Sequence, residues 1–171
     1  MDVFEAIELR RSVRAWADRP VEDEKVRRVL EAARLAPSAR NLQEWKFVVV
    51  RDAELRRQLT EAANGQAFVG DAPVVIAACA TSHDHVMSCG HPSFLVDLSI
   101  ALEHIALAAR AVGLGTCWVG AFSQDAVRRI LGIPDSVQVV ELMPLGYPAA
   151  WPGPRGRKAF DEVVCCDRWS D

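Results

Sequence analysis

Arg10-Arg11-Ser12-Val13-Arg14, read together with Pro37-Ser38-Ala39-Arg40-Asn41-Leu42-Gln43-Glu44-Trp45, is the part of this chain that decides its fold. The first stretch sets three guanidiniums and a hydroxyl within five residues, at the end of what reads as a short helix. Guanidinium forks pair bidentately with phosphate oxygens, so the cluster suits a phosphate seat. It equally suits a helix C-terminus whose carbonyls attract cations. The second stretch is a Pro/Ser/Asn turn between an amphipathic helix and a strand. Amides held on such a turn can read the edge of a flat heterocycle, and the same residue types also serve as ordinary turn chemistry.

Around these two stretches the periodicity alternates between helix and strand. Residues 2–9 predict a helix with Val3, Phe4 and Ile7 on one face, and 23–35 a second, with Val26, Val29, Leu30 and Ala33 at helical spacing until Pro37 stops it. A β-branched run at 46–50 predicts a strand, and 54–63 a helix ending near Asn64-Gly65. Residues 73–79 form an unbroken apolar run of strand length, as in a central strand buried on both faces. After a polar loop at 81–92, residues 93–112 predict a helix apolar almost all the way round. Such a helix is expected to be buried on nearly every side, a subunit interface being one natural place. Residues 116–119 predict a strand, Ser123 caps a helix ending at Gly132, and 137–145 predict the last strand. The Pro- and Gly-rich segment 148–157 is expected to be extended and to wrap over something. Strands separated by helices give an α+β (α/β) sandwich in one domain over residues 1–171.

Composition narrows the function classes. The chain has 171 residues, half of them apolar and a quarter charged, enough for one domain with its own core. A net charge of −3, with acids interleaved among the arginines, argues against a nucleic-acid surface. No apolar leader and no membrane-length run are present, so a cytoplasmic location is expected. Five cysteines without framework spacing suggest reduced thiols. His83, Asp84, His85, Cys89 and His91 lie within nine residues, but the paired spacing of a zinc site is missing and no metal is expected. That loop instead suits a variable cover over a site, with His85 and Met87 placed to touch substrate. There is no Gly-x-Ser-x-Gly elbow, no P-loop, and no dinucleotide glycine fingerprint after a strand.

Three further blocks follow in order: Gly113-Leu114-Gly115-Thr116-Cys117-Trp118-Val119-Gly120-Ala121-Phe122, then Leu145-Gly146-Tyr147-Pro148, then Arg155-Gly156-Arg157-Lys158. With the two stretches quoted first, they span nearly the whole chain, which resembles the small members of the nitroreductase family of FMN-dependent oxidoreductases. The resemblance implies a mixed central sheet flanked by helices, in an intertwined homodimer with FMN in each of two interfacial clefts.

It also implies roles for particular residues. Arg10, Ser12 and Arg14 match positions that contact the phosphate and ribityl chain, with Arg11 approaching the ring, and Arg155 and Arg157 match a late basic pair that closes on the same phosphate. Pro37, Ser38 and Ala39 match a segment that covers the partner subunit's flavin ring, with Asn41 and Gln43 as the amides beyond it. Trp118, Val119 and Gly120 are the candidates for a backbone N–H directed at flavin N5, glycine permitting close approach. Such a donor stabilises the reduced ring without a titrating side chain. No side chain is expected to act as an essential acid or base. Glu44 and Trp16 depart from the proline and phenylalanine common in relatives, which bears on the substrate side of the cleft.

The implied activity is ping-pong hydride transfer from NADH or NADPH to a small acceptor such as a nitroaromatic, a quinone or free flavin. Two alternatives stay open. One keeps fold and cofactor for a specialised reaction such as reductive dehalogenation, flavin fragmentation or peptide oxidation. The other is a flavin-binding protein without catalysis.

Overall fold

The computed structural model describes residues 1–170. Helix α1 (Val3–Leu9) opens the chain, held by a capping box in which Glu5 N–H donates to Asp2 Oδ1 and Asp2 N–H donates to Glu5 Oε2, both at 2.9 Å. Helix α2 (Asp23–Arg34), strand β1 (Trp45–Val50), helix α3 (Ala53–Ala62) and helix α4 (Ala67–Asp71) precede the central strand β2 (Val74–Ala80). Then come the long helix α5 (Ser93–Ala111), the short strand β3 (Gly115–Thr116), helix α6 (Gln124–Leu131) and strand β4 (Gln138–Gly146).

The sheet order is β1-β2-β4-β3, and every strand pair is antiparallel. The expected mixed character reduces to one parallel bridge, Ser12 to Thr116, outside the named strands. All seven residues of β2 are buried, as the unbroken apolar run from residue 73 predicts. On one face Ile76, Ala78, Met143 and Leu145 meet α2 and α5 through Val29, Ala33, Leu98 and Ile105. On the other, Val75, Ala77, Val139 and Leu142 meet α3, α4 and α6 through Leu59, Val69 and Val127. Each such side chain adds about 1.5–3 kcal/mol of burial free energy.

The structure departs from the sequence reading, or adds to it, at four places. The strand predicted at 116–119 is reduced to β3, and Val119 rejoins the sheet only through an isolated bridge to Leu142. Helix α4 lies within what reads as a turn after Gly65. The apolar face of α1 is solvent-facing, with Phe4 78% exposed and only Ala6 buried. Helix α5 is buried along one broad face but leaves Leu95 and Val96 exposed, so one chain does not cover it on nearly every side.

The N-terminal segment threads back across the molecule. Val13 N–H donates to the Thr116 carbonyl at 2.8 Å, Ala17 N–H to Tyr147 at 2.8 Å and Ala149 N–H to Ala15 at 3.0 Å. Gly115 makes this possible: a Cβ there would lie 2.4 Å from Val13 Cγ2. Residues 10–14 are thereby laid alongside the start of the 115–120 block, 100 residues away in sequence.

Candidate cofactor cleft

The two basic clusters share one cleft of about 540 Å³, walled on one side by Arg10, Arg11, Ser12 and Arg14 and on the other by residues 152–155 and Arg157. Of its five guanidiniums, only that of Arg10 has an acidic partner among the described residues, Glu103 of α5 at 3.4 Å. Arg14 lies over the Phe68 ring at 5.5 Å. Arg157 donates to the carbonyl of Gly156 at 3.2 Å. Arg11 donates to the carbonyls of Glu8 at 2.6 Å and Arg10 at 2.8 Å, so it caps the end of α1 while lining the cleft. The helix-end reading of the first cluster is thus met by Arg11, while Arg10 and Arg14 line the cleft without capping α1. Guanidiniums gathered from both ends of the chain, with Glu8 the only lining acid, make a seat for a multiply charged anion.

Behind the first cluster lies the 117–121 turn. The Cys117 thiol donates to the Trp118 carbonyl at 3.6 Å and is held above its usual range by burial. The Trp118 side chain lies by Glu103, which pairs with Arg10 at 3.4 Å. Burial holds the Glu103 carboxyl above the usual range, against the pull of Arg10 and Trp118. Val119 is fixed in both directions to Leu142, at 3.0 and 3.1 Å. Gly120 borders open space: a Cβ there would meet only Glu141 Oε2, at 3.6 Å.

Sequence reasoning missed what braces this turn. Gln66 Nε2 and Asn64 Nδ2 both donate to the Ala121 carbonyl, at 3.1 and 3.3 Å, and Ser123 N–H donates to the Ala62 carbonyl at 2.8 Å. The only sequence signal was the Asn64-Gly65 turn, which reads as a helix stop rather than a support.

The 37–43 segment does not line the cleft of its own chain. It is tied to the start of α5, where Ala39 N–H donates to the buried Asp97 carboxylate at 3.0 Å, and Ser38 Oγ accepts from Gln43 N–H at 3.0 Å. Arg40, Asn41 and Gln43 all have positive φ, 52°, 57° and 53°. Left-handed backbone at non-glycine residues costs free energy, and three instances in four residues mark a turn whose shape the surroundings impose. Pro37, Ser38, Ala39, Asn41 and Gln43 are thus presented as a rigid edge.

The 81–92 loop adds no metal centre: among the described residues, no three His, Cys, Asp or Glu side chains are placed to share an ion. His83 meets the Phe94 ring edge-on at 6.2 Å. The cysteines are all unbridged. No helix of the described residues is long and apolar enough to cross a membrane.

A layered α+β chain whose two end segments wall one basic cleft is an architecture suited to an anionic ligand. Comparison with known proteins makes the class specific. The sequence profile of the nitroreductase family matches residues 7–70 and 63–147, and the chain belongs to that family. A Methanothermobacter thermautotrophicus protein, provisionally named NADH dehydrogenase/NAD(P)H nitroreductase, is 41% identical over 175 residues, covering 99% of this chain and 88% of its own. The NADH dehydrogenase of Thermus thermophilus is 35% identical over 195 residues, covering 96% of this chain and 95% of its own. Among solved structures, the NADPH:FMN oxidoreductase of Vibrio harveyi in complex with NAD+ superposes with a TM-score of 0.89 at 27% identity, over 99% of this chain and 78% of that one.

Proposed function

We propose that this protein is an FMN-dependent oxidoreductase that takes hydride from NADH or NADPH and passes it to a small acceptor, a nitroaromatic, quinone or free flavin. The convergence of residues 10–14 with residues 155–157 around one cleft carries this reading. The donor set fits the cofactor: a phosphate dianion calls for fixed cations from more than one segment, and arginines without acidic partners supply them.

In this reading Arg10, Ser12 and Arg14 hold the phosphate and ribityl chain, and Arg155 and Arg157 close over them. Arg11 ties the end of α1 to the ring side. Of Trp118, Val119 and Gly120, Val119 holds the turn to Leu142, and Trp118 and Gly120 present backbone N–H groups to the ring, on a turn braced by Gln66 and Asn64. When bound, FMN supplies reversible two-electron chemistry at its ring, and the protein supplies position and charge. The chain acts as a homodimer in which Pro37, Ser38, Ala39, Asn41 and Gln43 of each subunit cover the cleft of the other. The exposed apolar faces of α1 and α5, and Phe160 at 73% exposure, support this assembly. The site is expected to work in the cytoplasm.

The test is the visible spectrum of purified protein, followed by release and identification of any flavin. About one FMN per chain, bleached anaerobically by NADH or NADPH and restored by an acceptor, is the expected result. Protein that is colourless and refuses added FMN overturns the reading. Bound FMN inert to both nucleotides identifies a flavin-binding protein without this activity. Arg14→Ala combined with Arg157→Ala is expected to give colourless protein with an unchanged fold by circular dichroism, and full flavin occupancy in that variant would refute the phosphate assignment.

A further inference from the structure

The proposed reading leaves one ionisable group beside the cleft turn unused. Glu141 lies on β4, paired with Ala78 of β2 where a β-bulge shifts the register. Strand alternation turns it to the same face as Met143 and Leu145, the face that α5 covers. Its Oε2 is 3.6 Å from the point where a Cβ of residue 120 would stand, so the carboxyl occupies the space directly behind Gly120. It forms no ion pair among the described residues, and the neighbouring Val119 N–H is already donated to the Leu142 carbonyl at 3.0 Å.

The charged and titratable groups on the neighbouring elements leave it without a counter-charge. The 117–120 turn contributes Cys117, an acid itself. Residues 10–14 contribute Arg10 and Arg14, which draw the Cys117 thiol down, yet neither offsets the burial of Glu141. Helix α5 contributes Glu103, already engaged by Arg10 and Trp118. The opposing positions of β2 are alanines and Cys79, whose thiol is itself raised by burial to about 11. Burial pushes the Glu141 carboxyl up to about 7, the nearby Val119 backbone offsetting only part of it. A strand position of this kind accommodates a neutral side chain without that penalty.

We propose that Glu141 is the proton-holding group of the cofactor cleft, neutral when the cleft contains two-electron-reduced flavin and ionised when it contains oxidised flavin. The inference rests on the FMN reading above. Reduction places negative charge on the ring, and a like charge behind Gly120 opposes it. The carboxyl therefore takes up a proton as the electrons arrive. Over a full cycle NAD(P)H, one proton and acceptor A give NAD(P)+ and AH2. The donor's hydride carries both electrons to the flavin and then to A. The one additional proton enters from water onto Glu141 in the first half and leaves it, to the acceptor or to water, in the second. Glu141 acts through its charge beside Gly120, and is a positioning residue in that sense.

Proton uptake on anaerobic reduction of the FMN-loaded protein, in weakly buffered solution with an indicator dye, tests this, alongside the reduction potential from pH 5.5 to 8.5. Near pH 7.5 the native protein is expected to take up close to one more proton per two electrons than Glu141→Gln. Its potential should fall more steeply with pH by the same increment, the two proteins converging below pH 6. Glu141→Leu replaces the glutamine variant if the latter does not fold. Bound, reducible FMN with equal proton uptake in native and variant overturns this inference and leaves the FMN reading standing. A native protein that takes up no FMN overturns both.

Discussion

Strand β2 and the segment beyond residue 148 sit at opposite ends of one scale. All seven side chains of β2 are buried, and its backbone is bonded on both sides. Every described residue from 149 to 170 is exposed, and Trp151 touches the body chiefly by lying over the Arg110 guanidinium at 3.7 Å. Yet the second region is the one that carries Arg155 and Arg157 into the cleft. The difference teaches that stability and ligand binding are drawn from separate parts of the chain. The sheet completes its core within one copy, whereas the ends leave apolar side chains such as Phe4 and Phe160 exposed.

The sharpest way to break this comparison is to damage the sheet and look for an effect on the cleft. Leu142→Ala, at a fully buried position, is expected to cost about 3–4 kcal/mol by urea unfolding at fixed protein concentration. Flavin bound per folded chain should stay unchanged. Gly115→Ala joins the two regions, because its methyl would meet Val13. A loss of about 1–3 kcal/mol together with weakened flavin binding is expected, since residues 10–14 must shift. Tight flavin binding in that variant would mean that the approach of the N-terminal segment does not set the cleft.

A smaller effect separates the regions by pH. The Glu141 carboxyl titrates at about 7 in the fold against an ordinary 4.5, so the folded chain binds the extra proton between those values. Native stability therefore falls as pH rises through that window, where Glu141→Gln has no such loss. Cofactor-free Glu141→Gln should be more stable than native above pH 7, by on the order of 1 kcal/mol because water screens a partly exposed group, with the gap closing below pH 4.5. Chemical denaturation at pH 8 and pH 4.5 reads both ends. The smallest change in intrinsic stability, under about 0.5 kcal/mol, is expected for Phe4→Ser with Phe160→Ser, which alters only exposed positions. Its readout is assembly: sedimentation should show native dimers and variant monomers, and dimers in both would move the interface elsewhere.

The parts of this fold legible in the sequence are those where one local pattern meets no competitor. The apolar run that becomes β2, and the helical spacing of Val26, Val29 and Ala33 in α2, are of this kind. Helix α4 is five residues long, too short to show a period. The 116–119 run is strand-like by composition, but after Thr116 the chain leaves the ladder to direct Trp118 toward Glu103. Within the site, both arginine clusters that line the cleft are legible because runs of one charged residue type stand out in a sequence. The left-handed turn at Arg40, Asn41 and Gln43 is not, since no glycine announces it. The bracing of Ala121 by Gln66, 55 residues earlier, and the burial of Glu141 behind Gly120 exist only once the sheet has brought distant segments together.

The parallel bridge from Ser12 to Thr116, and the bonds joining residues 15–17 to 147–149, have a consequence for synthesis. The first segment to leave the ribosome must wait, unpaired, until Thr116 has been added for its first bridge and residues 147–149 for the rest. Contacts this distant in sequence form slowly, and N-terminal partners accumulate exposed in the interval. The sheet can assemble as β4 emerges, but the cleft closes last. A pause in translation ahead of residue 147 would prolong a species with a formed core and no place for its cofactor.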